Sequence, residues 1–333
     1  MIQLSVLDLV PVSAGMTSQT ALQNTTELAV KVEQLGYTRF WTAEHHGTCS
    51  LAGSSPEVLI PHLAANTNSM RIGAGGIMLT HYSPYKVAEN FKVLENLYPG
   101  RIDLGSGRAP GGMPLASRAL NNGGQRKKHQ YSQQIDELLY YLKDSIPQDH
   151  PYFGLKTTPA TAIPPPVWLL GSSIGSAKLA AQKGLSFCFA HFINPEEGLN
   201  AANYYHTNFQ PTTGQERPKL ILAVFAIAAE TEQKAEMHAM VLDHLLLSAD
   251  KGERLSSVPS FEMVKNIEYE PYELRQIERN RERMMIGTPN QIKKQIQQIS
   301  ELYSTNEIMI VTITHSFEDK IRSYELIAEQ FLD

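Results

Sequence analysis

The chain has little of what marks a secreted, membrane or nucleic-acid-binding protein. Among its 333 residues are two cysteines, Cys49 and Cys188, far apart and outside any C-x-x-C. Neither a disulfide framework nor a zinc site is therefore expected. No uncharged apolar run approaches the ~20 residues a membrane helix needs. No basic stretch followed by a long apolar one opens the chain, so no signal peptide is expected, and the cytoplasm is the expected location. Lysine and arginine number 29 against 34 aspartate and glutamate, a net charge of -5. That balance disfavours a nucleic-acid partner. The basic cluster Arg126-Lys127-Lys128-His129 reads as a solvated helix start.

What is present is alternation. Short apolar runs at 2–7, 39–43, 71–77, 101–104, 167–170, 186–190, 219–228 and 307–312 read as strands, and longer amphipathic runs between them read as helices. Leu28, Val32 and Leu35 share one helical face before Gly36 ends it. Ser55-Pro56 and Ser83-Pro84 each pair an N-cap serine with proline at the first helical position. Thr288-Pro289-Asn290-Gln291 has the spacing of a capping box. A Gly/Asn-rich loop is expected over 105–124, helices near 131–142, 173–184, 195–209, 231–247 and 317–331, and an irregular, charged stretch over 250–285. Eight βα units imply an α/β fold, a parallel (β/α)8 TIM barrel of one domain over 1–333. The 250–285 stretch falls between strands 7 and 8 as a lid-like insertion. The alternative, an open doubly wound sheet, would want a Gly-rich phosphate turn after strand one. Asp8-Leu9-Val10-Pro11-Val12 stands there instead.

Chemistry in such a barrel sits at the C-terminal strand ends. After strand two come Glu44-His45-His46, an acid/base or metal candidate, or simply a capped loop. Gly75 and Gly76 lie in strand three, where a bare backbone admits a flat ligand or serves close packing. Arg108 follows strand four in a glycine loop and suits a phosphate. Ser172, Ser173 and Ser176 open a helix after strand five, where free N–H groups favour an anion, or serine merely caps. His191 ends strand six and reads as structural more readily than functional. A metal site is not expected: His62 falls mid-helix, strand one ends without H-x-H, and no carboxylate ends a late strand.

In order and spacing, Glu44-His45-His46, Gly75-Gly76, Arg101-Ile102-Asp103-Leu104-Gly105 with Arg108, and the serine-rich turn resemble the bacterial luciferase-like monooxygenase family. The likeness is closest over 40–108 and weakest over 200–285. It implies an FMN-dependent oxidoreductase that uses reduced flavin and O2 on a small organic substrate. Reduced FMN would come as a co-substrate from a separate flavin reductase. His45 would be the catalytic histidine. A non-proline cis peptide would fall at Gly75-Gly76, under the flavin ring. Arg108 would meet the phosphate, with Ser173 and Ser176 beside it and Ser172 in the same turn. A homodimer is implied too, with Val87, Phe91 and Leu94 serving either core or interface. The reactive cysteine of light-emitting members is Gly107 here, so light emission and an aldehyde substrate are not carried over. F420-dependent hydride transfer and non-catalytic flavin binding stand as alternatives.

Overall fold

A computed structural model describes residues 1–124, 130–253 and 255–332; the basic cluster at 126–129 lies outside the described residues. The strands are β1 (Gln3–Asp8), β2 (Arg39–Thr42), β3 (Arg71–Met78), β4 (Ile102–Gly107), β5 (Val167–Gly171), β6 (Ser186–Ala190), β7 (Leu220–Ala228), β8 (Met284–Gly287) and β9 (Glu307–Val311). All pairings among them are parallel, in the order β6-β5-β4-β3-β2-β1-β9-β7, and β6 pairs again with β7 to close a barrel of eight strands. Parallel neighbours require crossovers, and the helices between the strands provide them.

The short β8 is the addition. Phe225 of β7 pairs with Val311 of β9 and also with Met284 of β8. A strand has two edges, so β8 shares the edge of β7 that β6 occupies lower down, at Leu220 to Ala223. The expected strand eight is β9; β8 itself carried no period-2 signal in its four residues.

The helices are α1 (Ser18–Gln34), α2 (Pro56–Ala65), α3 (Pro84–Leu97), α4 (Pro114–Leu120), α5 (Tyr131–Lys143), α6 (Ile174–Lys183), α7 (Gly198–Asn208), α8 (Glu232–Asp250), α9 (Phe261–Val264), α10 (Pro271–Arg281), α11 (Pro289–Leu302) and α12 (Phe317–Ala328). Thr288 and Gln291 form the expected capping box at α11. Ser55 and Ser83 occupy N-cap positions, but neither hydroxyl bonds the helix. There the N1 proline sets the start by its fixed φ. Val87, Phe91 and Leu94 are buried in the chain's own core.

Two expectations need correction. The 105–124 loop contains α4, which buries none of its residues. The 250–285 stretch is not irregular: it contains α9 and the 11-residue α10, opened by a Glu270–Glu273 capping box. The buried residues of α10 are Glu273 and Asn280, so it shows no apolar stripe. Ion pairs hold it instead: Arg281 to Asp243 and Glu236, and Lys251 to Glu273. Val258 is stitched to the loop after β1, its N–H donating to the Val12 carbonyl at 2.8 Å.

The core has two layers. One lies between strands and helices, with Phe40, Ile72, Phe91 and Phe187 fully buried. The other fills the barrel with Leu7, Trp41, Trp168, Cys188 and Met309. Below it, Arg39 bonds Asp103 at 2.7 Å and Glu307 at 2.6 Å, while Arg71 bonds Asp103 at 2.6 Å. Burial alone would raise the Asp103 carboxyl, but Arg39 and Arg71 hold it below its ordinary range. No helix is long and apolar enough to cross a membrane among the described residues.

Candidate active site

The strand ends that the sequence singles out meet. One cavity of about 490 Å³ is lined by His45, Gly75, Gly76, Arg108, Ser172, Ser173 and Ser176, with Leu7, Leu170, Cys188 and Phe192 among its apolar walls. A larger groove of about 1040 Å³, beside α1 and α2, is lined by none of those seven.

β2 delivers His45 to this cavity, and the local backbone pins it. Its N–H donates to the Gly53 carbonyl at 2.7 Å. Nδ1 is sealed from solvent and has no hydrogen-bond partner. Burial, reinforced by the adjoining His46, pushes the imidazole down to about 4. His45 is therefore neutral near pH 7 and a weaker base than a free imidazole. Its neighbour is spoken for: His46 Nε2 lies 2.7 Å from Glu44 Oε1. The same buried carboxylate accepts from the Tyr82 hydroxyl at 2.7 Å and from the Met78 N–H at 2.9 Å. Glu44 thus ties the end of β2 to the end of β3. Glu44 stands beside the histidines in sequence, whereas no local signal marks Tyr82 as its partner.

In β3 the Gly75–Gly76 peptide is cis, as the resemblance implies. A Cβ on Gly75 would stand 2.7 Å from Leu7 Cδ1, and one on Gly76 would stand 2.7 Å from the Gly105 carbonyl oxygen. Close packing thus demands glycine here, and the bare backbone also faces the cavity.

β4 ends at Gly107, which places Arg108 exposed on the cavity rim. Among the described residues no carboxylate pairs with it. The loop after it is held to the histidine turn: His46 N–H donates to the Gly111 carbonyl at 2.7 Å, and His81 Nε2 bonds the Pro110 carbonyl at 2.9 Å. Opposite, Ser173 caps α6 and accepts from the Ser176 N–H, while the two hydroxyls lie 3.2 Å apart. A Cβ at Gly171 would strike Ser176 Oγ at 2.1 Å, so glycine keeps the serine turn tight against β5.

His191 lies outside this cavity. It lines a smaller one with Arg283, its Nδ1 is 3.0 Å from the Tyr303 hydroxyl, and burial pushes it down to about 4. Its surroundings suit packing. No group of three or more His, Cys, Asp or Glu side chains that could hold a metal occurs among the described residues.

Comparison with known proteins agrees with this architecture. The model of the luciferase-like monooxygenase family matches residues 2–306. The uncharacterized protein YwcH of Bacillus subtilis is 54% identical over the full length of both chains. The N-acetyl-S-alkylcysteine monooxygenase of the same organism is 37% identical, covering 100% of this chain and 99% of the relative. Apo-MsnO8 superposes with a TM-score of 0.91 at 33% identity, covering 99% and 98% of the two chains. The fold alone is shared with the FMN-bound oxygenating constituent of a diketocamphane monooxygenase from Pseudomonas putida, at 16% identity, TM-score 0.70 and 99% and 97% coverage. It is likewise shared with an F420-dependent secondary alcohol dehydrogenase at 14% identity, TM-score 0.65 and 100% and 99% coverage. The chain belongs to the luciferase-like monooxygenase family, and it is an oxidoreductase.

Proposed function

We propose that the cavity binds reduced FMN, received from a separate flavin reductase, and uses O2 to oxygenate a small organic substrate. The carrying observation is convergence: residues from four strand ends, distant in sequence, line one cavity. The residues fit the cofactor chemically. The glycine backbone of β3 offers a flat wall, Arg108 lacks an acidic partner among the described residues, and the serine turn at α6 adds hydroxyls and N–H groups for a phosphate. An FMN-bound protein shares this fold, and the monooxygenase named for N-acetyl-S-alkylcysteine supports a small organic substrate.

Bound reduced flavin would supply two electrons to O2, one oxygen atom passing to substrate and the other leaving as water. The protein's own contribution is positional. Arg108 and Ser172, Ser173 and Ser176 anchor the phosphate end. Leu7, Leu170 and Phe192 keep water from the ring end. His45 takes or returns a proton at its imidazole. On the same reading the α9–α10 segment serves as a lid, the active form is a homodimer, and the enzyme works in the cytoplasm.

Separate titrations with FMN and F420 test the reading. Saturable FMN binding that weakens in Arg108→Ala is expected, with reductase-coupled oxygen uptake above the free-flavin background. Tighter binding of F420, or an Arg108 variant that binds FMN as well as the parent, overturns it.

A further inference from the structure

The α6 N-terminus is already answering to a negative charge. The Ile174 N–H, first of the helix, donates to Glu197 Oε2 at 2.8 Å. Glu197 comes from the start of α7, is exposed, and has no cationic partner among the described residues. Its neighbour Glu196 differs: it bonds Arg279 at 2.7 Å. Asn194 donates to the Ser172 carbonyl at 3.0 Å, so the turn carrying Glu197 is fastened to the serine turn. The cavity wall includes Ser172, Ser173 and Ser176 but not Glu197, which holds the same helix end from beside the cavity.

Two anions at one helix N-terminus repel each other and share one partial positive charge. A carboxylate fixed there lowers the gain available to a phosphate arriving at Arg108 and the serines. On the reading that this turn receives the flavin phosphate, we infer that Glu197 is a specificity-determining residue. Its carboxylate discounts the phosphate's contribution, so that FMN exchanges between turnovers as a co-substrate instead of staying bound. It touches neither ring nor reacting atoms. It acts through the helix end, and only on flavins that carry a phosphate.

The test compares FMN with riboflavin, which has the same ring without the phosphate. Both are titrated into the full chain by flavin fluorescence, in the parent, Glu197→Gln, Glu196→Gln and Arg108→Ala. Glutamine keeps an acceptor for the Ile174 N–H, so the cap survives and the charge goes. Glu197→Gln should tighten FMN on the order of fivefold, leave riboflavin unchanged and slow FMN release by a similar factor. Glu196→Gln, one residue away and neutralised by Arg279, should change neither. The inference is overturned if Glu197→Gln leaves the FMN-to-riboflavin ratio at the parent value, or if Glu196→Gln moves it equally. If Arg108→Ala collapses the ratio while Glu197→Gln does not shift it, only the role of Glu197 fails. If Arg108→Ala leaves the ratio untouched, the phosphate reading itself fails, and this inference with it.

Discussion

At the N-terminal end of the barrel Arg39, Arg71, Asp103 and Glu307 satisfy one another. The Ser5 hydroxyl donates to Glu307, and the Trp41 indole N–H donates to Asp103 at 3.0 Å. At the C-terminal end Arg108 has no acid beside it among the described residues, and His45 Nδ1 is buried without a partner. One chain thus builds a closed ionic floor and an unsatisfied mouth on the same strands: β2 contributes Arg39 below and leads to His45 above, and β4 contributes Asp103 below and leads to Arg108 above. The difference teaches how such a barrel divides labour. Charges are paired at the floor, whereas the cavity end keeps a guanidinium without an acid among the described residues, and chemistry in such a barrel belongs to that end.

Substitutions should separate the two ends. Asp103→Ala leaves two buried or half-buried guanidinium groups without their shared acid. It should cost about 3–5 kcal/mol in chemical denaturation; a loss below about 1 kcal/mol would mean the floor is not a stabilising unit. His45→Ala should lower turnover by about 100-fold or more with FMN affinity held, measured as reductase-coupled oxygen uptake. Normal turnover in that variant would remove His45 from proton handling. Arg108→Ala should weaken FMN by about tenfold while moving stability by less than about 0.5 kcal/mol. If its denaturation midpoint falls as far as that of Asp103→Ala, the contrast between the ends is lost.

The last comparison concerns pH. His45 and His191 are each held down to about 4 from an ordinary 6.5. Between those values the unfolded chain binds more protons than the folded one. Stability should therefore rise with pH from about 4 to about 6.5 and gain nothing more from these groups above it. His191→Gln should flatten that slope in melting curves taken across the window. A slope equal to the parent's would show that His191 is not buried as a neutral base.

The barrel was legible because its strands are short apolar runs punctuated by Gly, Pro and capping residues, which act locally. The cavity was legible through the rule that strand ends converge: positions 45, 75, 108 and 176 are far apart in sequence yet follow or lie in neighbouring strands β2 to β5. Long-range bonding was not legible. α10 is polar on its surface and buries a glutamate and an asparagine, so its stability comes from partners on α8 that no window of sequence contains. Its own start signal, Glu270-Pro271 followed by Glu273, was there to be read. β8 exists because β7 is long enough to offer a free upper edge, a property of β7 and not of β8. Tyr82 and Glu197 reach their acceptor and donor across 38 and 23 residues of chain.

That upper edge of β7 has a wider consequence. Between Val258, clipped to the loop after β1, and β8, clipped to β7, the polypeptide is fastened at both margins, while between them Val264 and Phe261 pack on the barrel core and α10 is ion-paired to α8. Such a span behaves like an awning on two rails with stays between them: away from Val264, Phe261 and the Arg281 and Glu273 ion pairs it can vary in length and charge while the frame beneath keeps its register. Selection for a new shape of guest can therefore act on the span without reopening the question of how the barrel folds.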